Sequence, residues 1–141
     1  MTTTQAAKLR QRYLADAIET AAPAVRLTML YDALEQDLSR ADAAFESDDL
    51  KAINDHLVHA QEIILTLRDT IKPELWEGAP RLIALYNFFL AELLGSNLTK
   101  DRKRAASVAE LISRIGDAWR QAALTAGADD GAEEVRIGGM A

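Results

Sequence analysis

Two histidines are the side chains of this sequence best suited to metal binding or acid–base chemistry. His56 and His59 are three residues apart, which places them on neighbouring turns of a helix, and Asp55 and Glu62 lie close by. A metal site or a phosphate-accepting histidine could use such a pair. A di-iron helical bundle, however, needs paired glutamates and Glu-x-x-His motifs on several helices. Since the other predicted helices contain no histidine, we interpret both as surface or half-buried residues with no metal-binding role.

Other catalytic chemistry has little basis in the sequence. The chain contains no cysteine, which excludes disulfides, thiolate catalysis and cysteine-ligated metals. Neither a glycine-rich phosphate loop nor a Gly-x-Ser-x-Gly turn is found. We therefore predict a protein without catalytic residues, without a metal and without a cofactor.

Composition and charge argue against a nucleic-acid-binding, membrane-spanning or secreted protein. The 141 residues carry a net charge of −6, so phosphate groups would be repelled and nucleic acid is not an expected partner. The short basic run at 100–104 is interpreted as a solvated helix start. No run of eighteen apolar residues and no apolar N-terminal stretch is present, so we expect neither a membrane span nor a secretory signal. A cytoplasmic location is the default prediction.

Hydrophobic spacing predicts an all-α chain in which short connections join the helices. The apolar residues recur at three- and four-residue steps, and four helices are expected at about 23–45, 48–71, 80–95 and 100–124. The economical arrangement is an antiparallel up-down-up-down four-helix bundle over 23–124. Before it, residues 1–22 are expected to be mobile, with a short helix at 13–20. After it, residues 125–141 hold half of the net charge and are predicted to be a disordered acidic tail.

The core of the bundle can be predicted from the same spacing. The second helix has an unbroken heptad stripe, formed by Leu50, Ile53, Leu57, Ala60, Ile64, Leu67 and Ile71. Asp48 or Asp49 is expected to cap this helix, and Asp101 the fourth. Tyr31, Tyr86 and Trp119 are predicted to be core residues with their polar tips near the surface.

The second and third helices carry more apolar residues than one core-facing stripe needs. These surplus residues are Val58, Ile63, Leu65, Ile83, Leu90 and Leu94. One interpretation is that both helices bury wide faces inside the bundle or at a dimer interface. The other is a groove that accepts an amphipathic helix from a partner, since exposed apolar patches often mark binding surfaces. In that case Tyr13, Leu14 and Ile18 could fold over the empty groove.

An ordered set of short motifs resembles one known family, the flagellar secretion chaperones (FliS). The matching features, from the N-terminus to the last helix, are Tyr13, Ala22-Pro23, Met29-Leu30-Tyr31-Asp32, Ile63-Ile64 with Leu67, Leu85-Tyr86, Phe88-Phe89, Ser96-Asn97 with Asp101, and Trp119. Ala22 stands where the family has a helix-capping serine, and Ser96 and Ala33 also depart from its pattern.

The resemblance implies a cytoplasmic chaperone that binds the C-terminal segment of flagellin and prevents its polymerisation before type III export. It also implies that the N-terminal segment, through Tyr13, occupies part of the groove until the client displaces it. A contact with the export apparatus is a further expectation. Two alternatives from other classes stay open, a histidine-phosphotransfer domain using His56 or His59 and a helical module that forms a homodimer.

Overall fold

The computed structural model describes the backbone of residues 3–20 and 23–140, and the side chains of 4–13, 23–74 and 76–125. Within these described residues the chain forms five α-helices: α1 Thr3–Thr20, α2 Pro23–Glu46, α3 Leu50–Asp69, α4 Ala79–Thr99 and α5 Arg102–Met140. One 3₁₀ turn, Pro73–Leu75, lies between α3 and α4. No strand occurs within these described ranges, and the predicted all-α class is confirmed.

The chain divides into two compact units. Residues 30–115 form one, which contains most of α2, all of α3 and α4, and the first part of α5. Residues 1–29 and 116–141 form the other. The domain limits expected from the sequence, at 22–23 and 124–125, stay predictions.

The unit of residues 30–115 has one apolar interior to which all four of its helices contribute. Its most completely buried large side chains are Tyr31 and Leu34 of α2, Ile53, Leu57, Ile64 and Leu67 of α3, Tyr86, Phe89 and Leu93 of α4, and Val108 and Ile112 of α5. The spacing of three and four residues within each helix places these side chains on one side of it. Burial of such a stripe is the main source of helix stability in a small bundle.

Polar pairs join each helix of this unit to its neighbours. Arg102 at the start of α5 donates to Asp42 of α2 at 2.8 Å and to Glu46 at 2.6 Å. The hydrogen bond from Arg102 to Asp42 holds the pKa of the Asp42 carboxyl below its ordinary value. Arg104 of α5 donates to Glu92 of α4 through two nitrogens, at 3.0 and 3.2 Å. The start of α5 thus lies beside the end of α2, as an up-down-up-down order requires.

Several helix ends follow local sequence signals. The Asp49 carboxylate accepts a hydrogen bond from the Ala52 N–H at 3.1 Å, which confirms the expected cap of α3. Asp101 accepts from the Lys103 N–H at 3.1 Å and caps α5 in the same way. α4 ends at Thr99, and the backbone of its C-cap residue, Lys100, is in the left-handed region with φ of 53°.

Some helices are longer than the sequence indicated. α4 continues past its predicted end near residue 95, through Gly95 and Ser96, as far as Thr99. A Cβ atom at Gly95 would clash with the Arg104 guanidinium, so the glycine makes room for the arginine that joins α5 to α4. α1 begins at Thr3 and not near residue 13, and the backbone of α5 keeps helical geometry to Met140. Disorder of residues 125–141 stays a prediction.

Candidate functional site

A set of apolar side chains stays exposed along the line where α3 and α4 run side by side. Val58 and Leu65 lie seven residues apart on α3, and Leu90 and Leu94 lie four apart on α4, so each pair shares one side of its helix. The exposed fractions are 40% for Val58, 38% for Leu65 and 50% for Leu94, and Leu90 is half-buried. We call these four residues the α3–α4 face.

Two hydrogen-bonded polar pairs bracket the α3–α4 face. At one end the Asn97 side-chain amide of α4 donates to the Asn54 oxygen of α3 at 2.9 Å. At the other end Arg68 of α3 donates to the Asn87 oxygen of α4, also at 2.9 Å. Because Asn54 pairs with the late residue and Arg68 with the early one, the two helices are antiparallel, and the pairs fix their register.

The structure brings together most of the predicted client-binding residues of α3 and α4. Val58, Leu65 and Leu94 are exposed on the α3–α4 face, whereas Ile83 and Leu90 are half-buried. Ile63 does not belong to it. Only 7% of Ile63 is exposed, because it lies on the side of α3 that packs into the interior with Ile64 and Leu67. We therefore exclude Ile63 from the candidate client-binding residues.

The predicted residues of the N-terminal segment lie in the other unit. Tyr13 is exposed on α1. The side chains of Leu14 and Ile18 lie outside the described residues. The role of gate expected for Tyr13 stays a prediction.

The sequence interpretation missed two residues that extend the apolar line beyond the Asn54–Asn97 pair. Leu50 had been assigned to the core stripe, but it directly follows the cap of α3 and is exposed. Leu98 is exposed in the last turn of α4, four residues after Leu94. The four-residue step from Leu90 to Leu94 to Leu98 was the signal that could have identified Leu98.

Comparison with known proteins gives this geometry a context. A family model described as flagellar protein FliS matches residues 5–126, which include the whole unit of residues 30–115. The chain belongs to the FliS family. The family match confirms the resemblance, and the helical fold agrees with the bundle predicted from the hydrophobic spacing.

Curated relatives of this family match most of the chain. The flagellar secretion chaperone FliS of Bacillus subtilis (strain 168) is 30% identical over 110 residues, covering 78% of this chain and 82% of that protein. The protein of the same name from Escherichia coli (strain K12) is 30% identical over 129 residues, covering 85% and 93%. That of Salmonella typhimurium is 33% identical over 107 residues, covering 74% and 79%. The family is thus one of chaperones of flagellar assembly and export.

A solved structure supports the fold. A crystal structure of a flagellar chaperone from bacteria superposes with a TM-score of 0.67 at 17% identity, over 84% of this chain and 97% of that one. At this identity the likeness concerns the fold alone, and it agrees with a helical bundle.

The two histidines of this FliS-family chain contact a buried carboxylate. Asp37 of α2 is buried, and one of its oxygens is hydrogen-bonded to the Nδ1 atom of His59. The other oxygen lies 3.8 Å from the Nδ1 atom of His56. Among the described residues, no group of three histidine or acidic side chains is placed to hold a metal ion. The histidines join α3 to α2, and both are half-buried, within the range that the sequence interpretation expected.

The third predicted helix, α4, is strongly apolar along its length. α4 is, within the described part of the chain, the one helix long and apolar enough to cross a membrane by length and composition alone. The most apolar 18-residue stretch of α4 has a mean hydropathy of 1.3, and 22% of this stretch is buried. Core helices of soluble proteins pass the same test, and α4 buries Tyr86, Phe89 and Leu93. Two of its apolar residues that are not fully buried, Leu90 and Leu94, form the α4 side of the α3–α4 face.

Proposed function

We propose that this chain binds the C-terminal segment of flagellin along the α3–α4 face and keeps that segment from polymerising before export. The observation that carries the proposal is the exposed apolar line between α3 and α4, bracketed by polar pairs, in a chain whose relatives are named flagellar secretion chaperones. As a chaperone that acts before export, it would work in the cytoplasm and without catalysis.

The physical basis is the burial of apolar area that the bundle itself leaves in water. Burial of apolar surface contributes about 25 cal/mol per Å², so covering Val58, Leu65, Leu90 and Leu94 is favourable. A disordered client segment that folds as an amphipathic helix on such a face matches a recurrent mode of recognition. The cost of ordering the segment keeps the complex releasable, which an export chaperone requires.

The direct experiment compares a full-length flagellin with a flagellin that lacks its C-terminal segment, roughly forty residues, a length that coupled folding can bury. Immobilised protein should retain the full-length flagellin and lose the truncated one. Equal retention of both would reject binding of the C-terminal segment.

Substitutions on the α3–α4 face test where the segment binds. We expect the double variant Val58→Asp/Leu94→Asp to lose about 100-fold or more in affinity, because two unpaired carboxylates would be buried beneath the client. Both positions are exposed, so the far-UV helix signal should not change. The matched control is Phe88→Asp/Leu111→Asp, which adds the same charge at exposed apolar residues outside this face. Equal losses in both doubles would show that the α3–α4 face is not the binding site.

The alternative occupant of the face is a second copy of this chain. A homodimer through the α3–α4 face would bury Val58 and Leu94 and compete with the client. Light scattering at micromolar concentration should give the mass of a monomer for the free protein. A dimeric mass that Val58→Asp/Leu94→Asp converts to a monomer would favour the dimerisation module.

A further inference from the structure

The apolar residues along the α3–α4 seam are divided into three sections by the two polar pairs. The Asn54–Asn97 pair separates Leu50 and Leu98 from the α3–α4 face, and the Arg68–Asn87 pair separates Ile83 from it. Asn87 and Asn97 lie ten residues apart on α4, which corresponds to about 15 Å along the helix axis. The middle section therefore has the length of three helical turns.

Each polar pair is linked to a cation. Lys100 donates to the Asn97 side-chain oxygen at 2.6 Å, and Asn97 in turn donates to Asn54. At the other end the guanidinium of Arg68 is itself the donor to Asn87. Both ends of the face thus present amide groups hydrogen-bonded to a cationic side chain, while the Arg68 Nε also lies 3.5 Å from the Asp69 carboxylate and Asn54 is also hydrogen-bonded to Asp55. They suit client side chains that bear hydrogen-bond acceptors, namely Asp, Glu, Asn and Gln.

We propose that Asn54–Asn97 and Arg68–Asn87 are the register determinants of the client, an inference that rests on the proposed function. The face accepts a client helix whose apolar stripe is three turns long and is flanked at both ends by acceptor-bearing residues. A client shifted by one turn would place an apolar side chain over an amide pair. That shift desolvates the pair without replacing its bonds to water, at a cost of roughly 10-fold in affinity.

The absence of cysteine from the sequence allows a clean measurement of this register. Gln61 lies between Val58 and Leu65 on the same side of α3, is half-buried, and donates to the Leu57 carbonyl of its own helix. A Gln61→Cys variant therefore places one thiol in the middle of the face. It would be mixed with peptides of the flagellin C-terminal segment that carry a single cysteine at successive positions. Oxidised and reduced glutathione would be added, so that the disulfide of oxidised glutathione is the oxidant, and the yields of protein–peptide disulfide would be measured.

In the otherwise unchanged protein, disulfide formation should be confined to the client positions of a single helical turn. Adding Asn54→Ala and Asn87→Ala should spread the yield over positions one turn away on either side. The matched control is Arg104→Gln, which removes an interhelical pair between α4 and α5, away from this face. It should leave the confined profile unchanged, and circular dichroism should show equal helix content in all variants.

The possible outcomes distinguish the register role of the two polar pairs from client binding to the α3–α4 face. A confined profile that Asn54→Ala/Asn87→Ala does not broaden would overturn the register role while leaving client binding to the face intact. A profile that Arg104→Gln broadens to the same extent would also overturn it, since general loosening of the bundle would then be the cause. No disulfide with any peptide in the unchanged background would reject the face as the binding site, and the register role with it.

Discussion

The phenol of Tyr31 on α2 is hydrogen-bonded to the phenol of Tyr86 on α4, with 2.5 Å between the two oxygens. Both side chains are fully buried, so the pair joins the first and third helices of the bundle through its interior. Other side-chain pairs join α3 to α4, α4 to α5 and α2 to α5. The tyrosine pair is thus a polar contact between two helices, α2 and α4, that do not follow one another in the sequence.

Removal of one phenol from this pair should destabilise the protein. In Tyr31→Phe the Tyr86 hydroxyl stays buried but loses its partner, and we expect the free energy of unfolding to fall by about 1–3 kcal/mol. Addition of Tyr86→Phe should cost less than it does alone, since the orphaned hydroxyl is then gone. Urea unfolding of the two single variants and the double variant gives the coupling energy. Strictly additive losses would show that the two hydroxyls do not interact.

The same pair should make the fold sensitive to alkaline pH. Burial, with the neighbouring Tyr31 as a smaller cause, raises the pKa of Tyr86 well above its ordinary value. The unfolded chain releases this proton near pH 10, whereas the folded chain retains it. Stability is therefore fully present below about pH 10 and is lost as the pH rises above it.

Unfolding free energies measured from about pH 8 to 11 should fall steeply at the alkaline end, and Tyr86→Phe should reduce that slope. Tyr13→Phe is the matched control, because the Tyr13 side chain is exposed. An unchanged slope in Tyr86→Phe would contradict the assignment.

Much of the fold follows from local patterns in the sequence. The three- and four-residue spacing identified α2 to α5, and Asp49 and Asp101 cap helices as their sequence context indicated. The length of α4 did not follow, because Gly95 and Ser96 have a tertiary role. Ser96 is buried and donates to the Asp101 carbonyl at 2.6 Å, and Arg104 lies over Gly95. Such contacts depend on α5, which spacing within α4 cannot reveal.

The candidate site was predicted in part. The surplus stripe on α4 indicated Leu90 and Leu94, since a bundle helix needs one core-facing side only. In the run Ile63-Ile64-Leu65 the sequence could not show which residues face outward, because that depends on how α3 is rotated against its neighbours. Ile63 packs inward and Leu65 outward. The polar pairs that bracket the face join residues 19 and 43 positions apart, so no local pattern indicates them.

His56 and His59 both lie on α3 but differ in their contacts with Asp37, so the stabilities of their alanine variants can be compared. His59→Ala removes a direct hydrogen-bond partner from a buried carboxylate, and we expect a loss of about 1–3 kcal/mol in unfolding free energy. His56→Ala should cost less, since 3.8 Å exceeds hydrogen-bonding distance. Neither variant should alter retention of flagellin. Equal stability of His59→Ala and the unchanged protein would contradict a stabilising role of the His59–Asp37 contact. Loss of a phosphotransfer activity in His56→Ala or His59→Ala would support the alternative of a histidine-phosphotransfer domain.

Lys100 offers a substitution that should stabilise the protein. Its backbone, at φ of 53° and ψ of 48°, lies in the left-handed region, which costs a non-glycine residue about 1–2 kcal/mol. Glycine adopts this conformation freely but loses more entropy on folding, so Lys100→Gly should raise the unfolding free energy by about 0.5–1 kcal/mol. The loss of the exposed Lys100–Asn97 hydrogen bond offsets little of this gain.

Two further glycine variants make the Lys100 test specific. Asp48 is the other described non-glycine residue with positive φ, at 52°, and aspartate tolerates this region better than lysine, so Asp48→Gly should gain less. Lys103→Gly, in the first turns of α5, should instead lose up to about 1 kcal/mol, because glycine is a poor helix former. Thermal and urea unfolding of the three variants should therefore rank Lys100→Gly above Asp48→Gly and Lys103→Gly last. Equal destabilisation by all three would show that the cost of the left-handed backbone at Lys100 is smaller than the entropy that glycine adds to the unfolded chain.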